Sequence, residues 1–522
     1  MTDDHSPQGA GYPHDWDPVL VGRFIMRHAT RVPQATAIVA HGRGHTYAEL
    51  AAAAESYGTV LRDAGLQHGD TVAVCMEPGF ESVSVLLACS EAGYVFVPLN
   101  ADQPVSRIAD ICHRIDARMF VVGPGSSLSA VDARELASRS AMAQEDTLTL
   151  HGPPMAGQRT GRLVLESDVA YVIFTSGSTG APKGVTMSHR AAVVALRAIT
   201  HGCDAYPRLA SVAPLGFDFS ILDTVAALGT GGTVFFVPRQ VTMHPFRLLE
   251  YLRDHRIQQL HCVPTLMQVL LTHCGTRLAE LTELRRIVTG GEEILVPVLD
   301  RLRKVLPGLE FTIMYGQTES ICCTFGHVPN PIPATQRAIP LGSAYPGAEL
   351  LLLDNHGARI TEPGVTGELY LRAASLFNGY WQDPETTARA LVPDPQRPHS
   401  GELLLRTGDL AVLGPDGLIF AGRRDHQVQI YGNRVELGEI ERCITAIPLV
   451  REALVTAHQE GPAHRLIATV VTDDELRGDS TRIRDHCRTH LPAYMVPAQI
   501  QFVDNLSYLP SGKLDRNAGD AG

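Results

Sequence analysis

From about Asp70 onward, short β-branched apolar runs alternate with segments of helical periodicity. Thr71–Cys75 reads as a strand, Glu81–Ala92 as a helix, and Tyr94–Val97 as a second strand stopped by Pro98. Val169–Thr175 is another β-rich run, and Ser188 is placed to cap a helix through Ile199. Gln258–Val263, Arg286–Thr289 and Phe311–Met314 read as strands, with Leu295–Val305 helical. Strands that alternate with helices are joined by crossovers, and the sheets they build are mostly parallel and covered by helices. The chain is therefore expected to be an α/β protein. At roughly 100–200 residues per domain, its 522 residues allow about two to four domains.

The pattern changes near the end. Val428–Tyr431, Glu452–Ala457 and Leu466–Val471 read as strands, with helices over Leu437–Ile447 and Arg482–His490. This is a small α+β unit, and the polar run Gly422-Arg423-Arg424-Asp425 is the expected boundary. Residues 1–18 read as a flexible polar tail, and residues 121–167, rich in Ser, Ala, Gly and Pro, as irregular surface.

Composition removes several function classes. Lys+Arg 44 against Asp+Glu 56 gives a net charge of −12, which argues against binding a nucleic-acid backbone. The most apolar stretch, Val83 to Leu99, contains Glu91 and is too short to span a bilayer. The acidic N-terminus lacks the apolar core of a signal peptide. The 10 cysteines form no CxxC pair and the 22 histidines no HExxH. A cytoplasmic protein with reduced thiols and no dedicated His/Cys metal site is expected.

The most informative stretch is Thr175-Ser176-Gly177-Ser178-Thr179-Gly180-Ala181-Pro182-Lys183-Gly184, between a strand and a helix. Glycines allow tight turns, and hydroxyls, exposed amides and a lysine can surround a polyphosphate. It is not a Walker A loop, because no GxxxxGK[ST] occurs.

This loop resembles the phosphate loop of the acyl-adenylate-forming superfamily, which includes peptide-synthetase adenylation domains, acyl- and aryl-CoA ligases and luciferases. Further motifs stand in family order across about residues 20 to 516. They are Thr46-Tyr47-Ala48-Glu49-Leu50, Glu91-Ala92-Gly93-Tyr94-Val95-Phe96-Val97-Pro98-Leu99, Phe217-Asp218-Phe219-Ser220 and Tyr315-Gly316-Gln317-Thr318-Glu319. Then come Gly367-Glu368-Leu369, Asn378-Gly379-Tyr380-Trp381, Arg406-Thr407-Gly408-Asp409-Leu410 and Gly422-Arg423-Arg424-Asp425. The last are Gly432-Asn433-Arg434-Val435-Glu436-Leu437-Gly438-Glu439-Ile440-Glu441, Leu491-Pro492-Ala493-Tyr494-Met495 and Pro510-Ser511-Gly512-Lys513-Leu514-Asp515-Arg516.

The resemblance implies a large N-terminal domain over residues 19–424, of helix-flanked mostly parallel sheets with a β-barrel-like subdomain. A small mobile C-terminal domain over residues 426–522 follows, joined at a hinge on Asp425. It also implies roles. Thr175, Ser176, Gly177, Ser178, Thr179, Gly180, Lys183 and Thr318 would hold the phosphates of ATP. Tyr315 would stack on adenine, Asp409 would accept from the ribose hydroxyls, and Arg423 would support them. Glu319 would bind Mg²⁺. Lys513 would reach in from the small domain and stabilise charge at the reacting oxygen.

Asp218 selects the branch. In amino-acid-activating members an aspartate here binds the substrate ammonium, and acid–CoA ligases usually lack it. The aligned pocket is Phe217, Asp218, Phe219, Leu222, His261, Val288, Gly290, Met314, Cys322 and Cys323. Its lining is mostly apolar, with Gly290 leaving room and His261 as a second polar handle, so an apolar or aromatic α- or β-amino acid is expected. Two residues depart from the pattern. Gln317 stands where modular adenylation domains have proline, and Gln429 replaces a lysine that faces the site during thioester formation.

The expected protein is a stand-alone ligase that forms aminoacyl-AMP and passes the acyl group to the phosphopantetheine thiol of a separate carrier protein in natural-product biosynthesis. Monomer and homodimer both stay open. The alternatives are an acyl- or aryl-acid–CoA ligase and an inactive homologue acting as a scaffold; intact Lys183, Glu319, Asp409 and Lys513 speak against the scaffold.

Overall fold

The computed structural model describes residues 20–123, 126, 141–145, 148–152, 162–177, 181–202, 206–425, 427–460 and 463–507. The expected tail, the loop residues Ser178, Thr179 and Gly180, and Lys513 lie outside them.

Two large sheets dominate. One has eight strands, with Val169–Thr175, Val95–Asn100, Thr71–Met76 and Met119–Val122 running parallel at its centre. The other has nine, with Glu310–Tyr315, Arg286–Gly290, Gln259–His261, Arg208–Ser211, Thr233–Phe236 and Thr36–Ala40 in parallel succession. The helices Phe80–Ala92, His189–Gly202 and Asp218–Leu228 lie between them. Leu87, Leu196, Leu222 and Val225 join Phe96, Tyr171 and Val234 of the strands in one apolar cluster. Burial on both faces explains why these strands read as continuous apolar runs. Ser188 Oγ accepts from the Ala191 N–H at 3.3 Å, so the expected cap is present.

Two expectations need correction. Pro98 does not stop its strand, which runs Val95–Asn100 with Pro98 opposite Val74. The strand pairs with Val169–Thr175 only at Phe96↔Tyr171, so no donor is required on that side at Pro98. Residues 121–167 are not wholly irregular either. Ala141–Glu145 and Leu148–Gly152 form a hairpin antiparallel to Met119–Val122 at the sheet edge.

An antiparallel sheet of five strands completes the large domain, including Thr366–Ala373, Leu403–Gly414 and Gly417–Arg423. The small domain has its own apolar core. It consists of the hairpin Gln427–Ile430/Asn433–Glu436, the helices Leu437–Thr445 and Ser480–His490, and a three-stranded sheet.

Candidate active site

Strand ends converge on a cavity of about 240 Å³ lined by Phe217, Asp218, Phe219, Met314, Cys322 and Tyr315, together with Thr318, Asp409 and Arg423. Ligands of α/β sheets sit at such strand ends. A larger groove of about 1080 Å³ beside His327 and Tyr345 contains none of these residues.

Asp218 is the first residue of the helix Asp218–Leu228 and is only 6% exposed. Burial pushes its carboxyl up to about 7, against the Thr318 hydroxyl and the Phe219 N–H, which favour the charged form. The Phe219 N–H donates to Oδ1 at 3.0 Å. The neighbouring anion Glu319 pushes it in the same direction as burial. A buried carboxyl so placed gains most from a cation delivered by a ligand.

The remaining pocket candidates divide. Phe217 and Phe219 stack at 5.2 Å between ring centroids. Leu222, Val288 and Cys323 are buried and do not line the cavity. His261 has no free ring nitrogen: Nδ1 pairs with Asp223 at 2.6 Å and Nε2 with Gln259 at 2.6 Å. Asp223 also accepts from Ser211 at 2.5 Å, so the histidine belongs to a closed buried network. Gly290 serves a different purpose from the room expected of it. A Cβ there would lie 2.2 Å from the Met314 carbonyl of the adjacent strand, so the glycine permits close strand approach.

Asp409 and Arg423 stand opposite one another in the antiparallel pair that ends the large domain. Asp409 is 4% exposed and accepts from the Tyr315 hydroxyl at 2.6 Å and from Gln317 Nε2 at 2.9 Å. Arg423 pairs with its other oxygen. Gln317, noticed in the sequence only as a departure, thus orients the candidate ribose carboxylate, and its amide also reaches the Thr407 carbonyl at 2.8 Å. Asp425 is held by Arg423 at 2.7 and 2.9 Å, and the next strand begins at Gln427.

Thr175 closes the strand before the phosphate loop. The Ser176 hydroxyl donates to the Arg434 carbonyl at 2.7 Å and accepts from the Glu436 N–H at 3.2 Å, both in the small-domain hairpin. Gly177 is required, since a Cβ would meet the Ala181 carbonyl at 1.9 Å. Lys183 Nζ lies 3.9 Å from Glu436 and 5.2 Å from the Tyr380 ring centroid. Burial holds its pKa below the usual value, helped by Arg434.

Glu319 is 1% exposed. Burial pushes its carboxyl up, but Arg434 and Lys183 outweigh that and bring it down to about 2. It is therefore an ionised hard-oxygen donor, as a Mg²⁺ ligand must be. Both of its oxygens accept from Arg434 at 3.0 Å, and Oε1 also from the Tyr380 hydroxyl at 2.6 Å. The donor chemistry fits Mg²⁺, which supplies charge neutralisation to phosphates, once Arg434 withdraws. Neither Arg434 nor Tyr380 was assigned a role from sequence, although both lie in family-ordered motifs.

The small domain is fastened to the large one at further points. Gly432 N–H donates to Glu292 at 2.5 Å, Ser106 Oγ to the Thr489 carbonyl at 2.7 Å, and Arg107 pairs with Glu439 at 2.5 Å. Arg107 and Glu439 are 7% and 3% exposed, so this pair is desolvated and depends on both partners.

These features make a candidate adenylate-forming site, and comparison with known proteins shows the family. The AMP-binding enzyme model matches residues 25–381, and the AMP-binding enzyme C-terminal domain model residues 439–513. The L-proline–[L-prolyl-carrier protein] ligase of Streptomyces coelicolor is 33% identical over 494 residues, covering 90% of this chain and 90% of the relative. Phenyloxazoline synthase MbtB of Mycolicibacterium paratuberculosis is 34% identical over 506 residues, 96% of this chain and 42% of the relative. This chain thus spans less than half of that relative. The crystal structure of IdnL1 superposes with a TM-score of 0.84 at 35% identity, covering 94% of this chain and all of that one. The chain belongs to the AMP-binding enzyme family and is an AMP-forming ligase of the acyl-adenylate-forming superfamily. Among the described residues, no helix is long and apolar enough to cross a membrane.

Proposed function

We propose that this ligase activates an amino acid. The substrate carboxylate attacks the α-phosphorus of ATP, pyrophosphate leaves, and aminoacyl-AMP forms. The thiol of a phosphopantetheinylated carrier protein then displaces AMP. The observation that carries the reading is Asp218, a buried carboxyl in the cavity wall that forms no ion pair with a cation among the described residues. A substrate ammonium completes it, whereas a plain carboxylic acid leaves it unpaired. Apolar neighbours at Phe217, Phe219 and Met314 favour an apolar or aromatic side chain, on an α- or β-amino acid. The carrier acceptor is supported by the Streptomyces relative, an L-proline–[L-prolyl-carrier protein] ligase. A panel of α-amino, β-amino and plain acids in ATP–pyrophosphate exchange tests the first half-reaction. Offering the resulting adenylate a holo-carrier or CoA, and weighing the products, tests the second.

In this reading the observed packing of hairpin against phosphate loop is the arrangement for thiol transfer, and Asp425 is the hinge that leaves it. With Arg434 on Glu319, the metal's place is neutralised by the protein. Departure of pyrophosphate with Mg²⁺ would free Glu319 for Arg434, and so favour the second orientation. Asp425→Pro, which fixes one backbone torsion, should spare pyrophosphate exchange and lower thioester yield at least ~10-fold. Arg434→Gln should do the same, because the adenylating orientation does not use that ion pair. Equal loss of both half-reactions in both variants would remove the two-orientation reading.

A further inference from the structure

Among its described residues, the small domain holds a cluster for which adenylation has no use. Its helices Leu437–Thr445 and Ser480–His490 pack through Ile440, Ile444, Ile483 and Cys487. At the rim of that contact, Cys443 of the first helix meets His486 and His490 of the second. One ligand atom from each, a sulfur and two ring nitrogens, lies within 4.8 Å of the others. The histidines are spaced i, i+4 and share one helix face, with ring centroids 4.3 Å apart.

The two rings are anchored through backbone carbonyls. Nδ1 of His490 donates to the His486 carbonyl at 2.9 Å, which leaves the lone pair on Nε2. The His486 ring hydrogen-bonds the Cys443 carbonyl, the kind of anchor that orients metal-bound imidazoles. The Cys443 thiol is hydrogen-bonded to Cys487 across the same helix contact. Glu439, one turn before Cys443, is turned away to Arg107.

We propose that Cys443, His486 and His490 bind a zinc-class divalent transition-metal ion that clips the two helices together. Sulfur and imidazole donors favour zinc over magnesium or calcium. Binding forms the metal–sulfur bond and releases the Cys443 thiol proton to solvent. Metal–ligand bonds of about 2.0–2.3 Å require the donors to draw in by roughly 1 Å. His490 is exposed, so the fourth position faces solvent.

The test uses the full chain, stripped of metal and titrated with Co²⁺. One Co²⁺ per chain should bind, with a thiolate-to-cobalt charge-transfer band and the visible bands of four-coordination, and Zn²⁺ should displace it. Cys443→Ser should abolish the charge-transfer band. His490→Ala, an exposed change that leaves the core intact, should weaken binding at least ~10-fold and leave pyrophosphate exchange unchanged. Absence of the band in folded protein, or equal affinity in wild type and His490→Ala, overturns the proposal. So does loss of both the Cys443 and Cys487 thiols to a disulfide under non-reducing conditions.

Discussion

Asp218→Asn should reduce amino-acid-dependent pyrophosphate exchange by ~10²-fold or more, while leaving ATP binding intact. The amide cannot neutralise the substrate ammonium, and a desolvated cation stripped of its partner costs about 3–5 kcal/mol. The wild-type pH profile should show the same residue. With the carboxyl pushed up to about 7 by burial, the free enzyme is half protonated there. Amino acid kcat/KM should therefore rise through pH 7 and then level off, and Asp218→Asn should lack that limb.

Stability should move the other way. The folded-state pKa lies above the ordinary value of 3.8, so the group's stabilising contribution is complete below pH 4 and is lost as pH rises through about 7. The loss has an upper bound of about 4 kcal/mol, from three pH units at 1.36 kcal/mol each. Asp218→Asn removes this pH dependence. The variant should melt above the wild type at pH 8 and near it at pH 4, as measured by calorimetry. A site that weakens the fold in order to receive a charge is a common trade. A variant less stable than wild type at pH 8 would place Asp218 among structural caps of its helix.

The second large effect is expected at Lys513. Lys513→Ala should slow adenylation by roughly 10²–10³-fold, the range seen when one preorganised donor to a developing oxyanion is removed. Transfer of a pre-formed, chemically synthesised aminoacyl-AMP to the carrier thiol should be nearly unaffected, because the proposed role of Lys513 is confined to adenylate formation. Arg434→Gln should show the opposite pattern. Measuring both half-reactions in both variants separates the two orientations without a structure of either. Adenylation at wild-type rate in folded Lys513→Ala would remove its catalytic assignment.

Much of the fold was legible because its signals are local. Thr71–Met76 and Val169–Thr175 announce themselves by β-branched runs, and Ser188 caps where its spacing says it must. The candidate nucleotide residues were picked out through ordered motifs, and the structure brings Tyr315, Asp409 and Arg423 to one place. What escaped was set by pairing partners. Pro98 is accommodated because a neighbouring strand has already diverged, and Gly290 answers to the Met314 backbone. His261 is closed off by Asp223 and Gln259, of which the local sequence gives no sign. The contacts Arg434–Glu319 and Arg107–Glu439 join residues of different domains, so no spacing rule reaches them. The Cys443–His486–His490 cluster is hidden in the same way, because its cysteine lies on another helix.

Asp218 is the residue proposed to make this an amino-acid-activating ligase. The most direct measurement compares, in ATP–pyrophosphate exchange at pH 8, the best amino acid of the panel with its des-amino isostere at equal concentration. The amino acid should support exchange at least ~10²-fold faster, and Asp218→Asn should erase most of that preference. Equal or faster exchange with the des-amino acid, retained in Asp218→Asn, would contradict it.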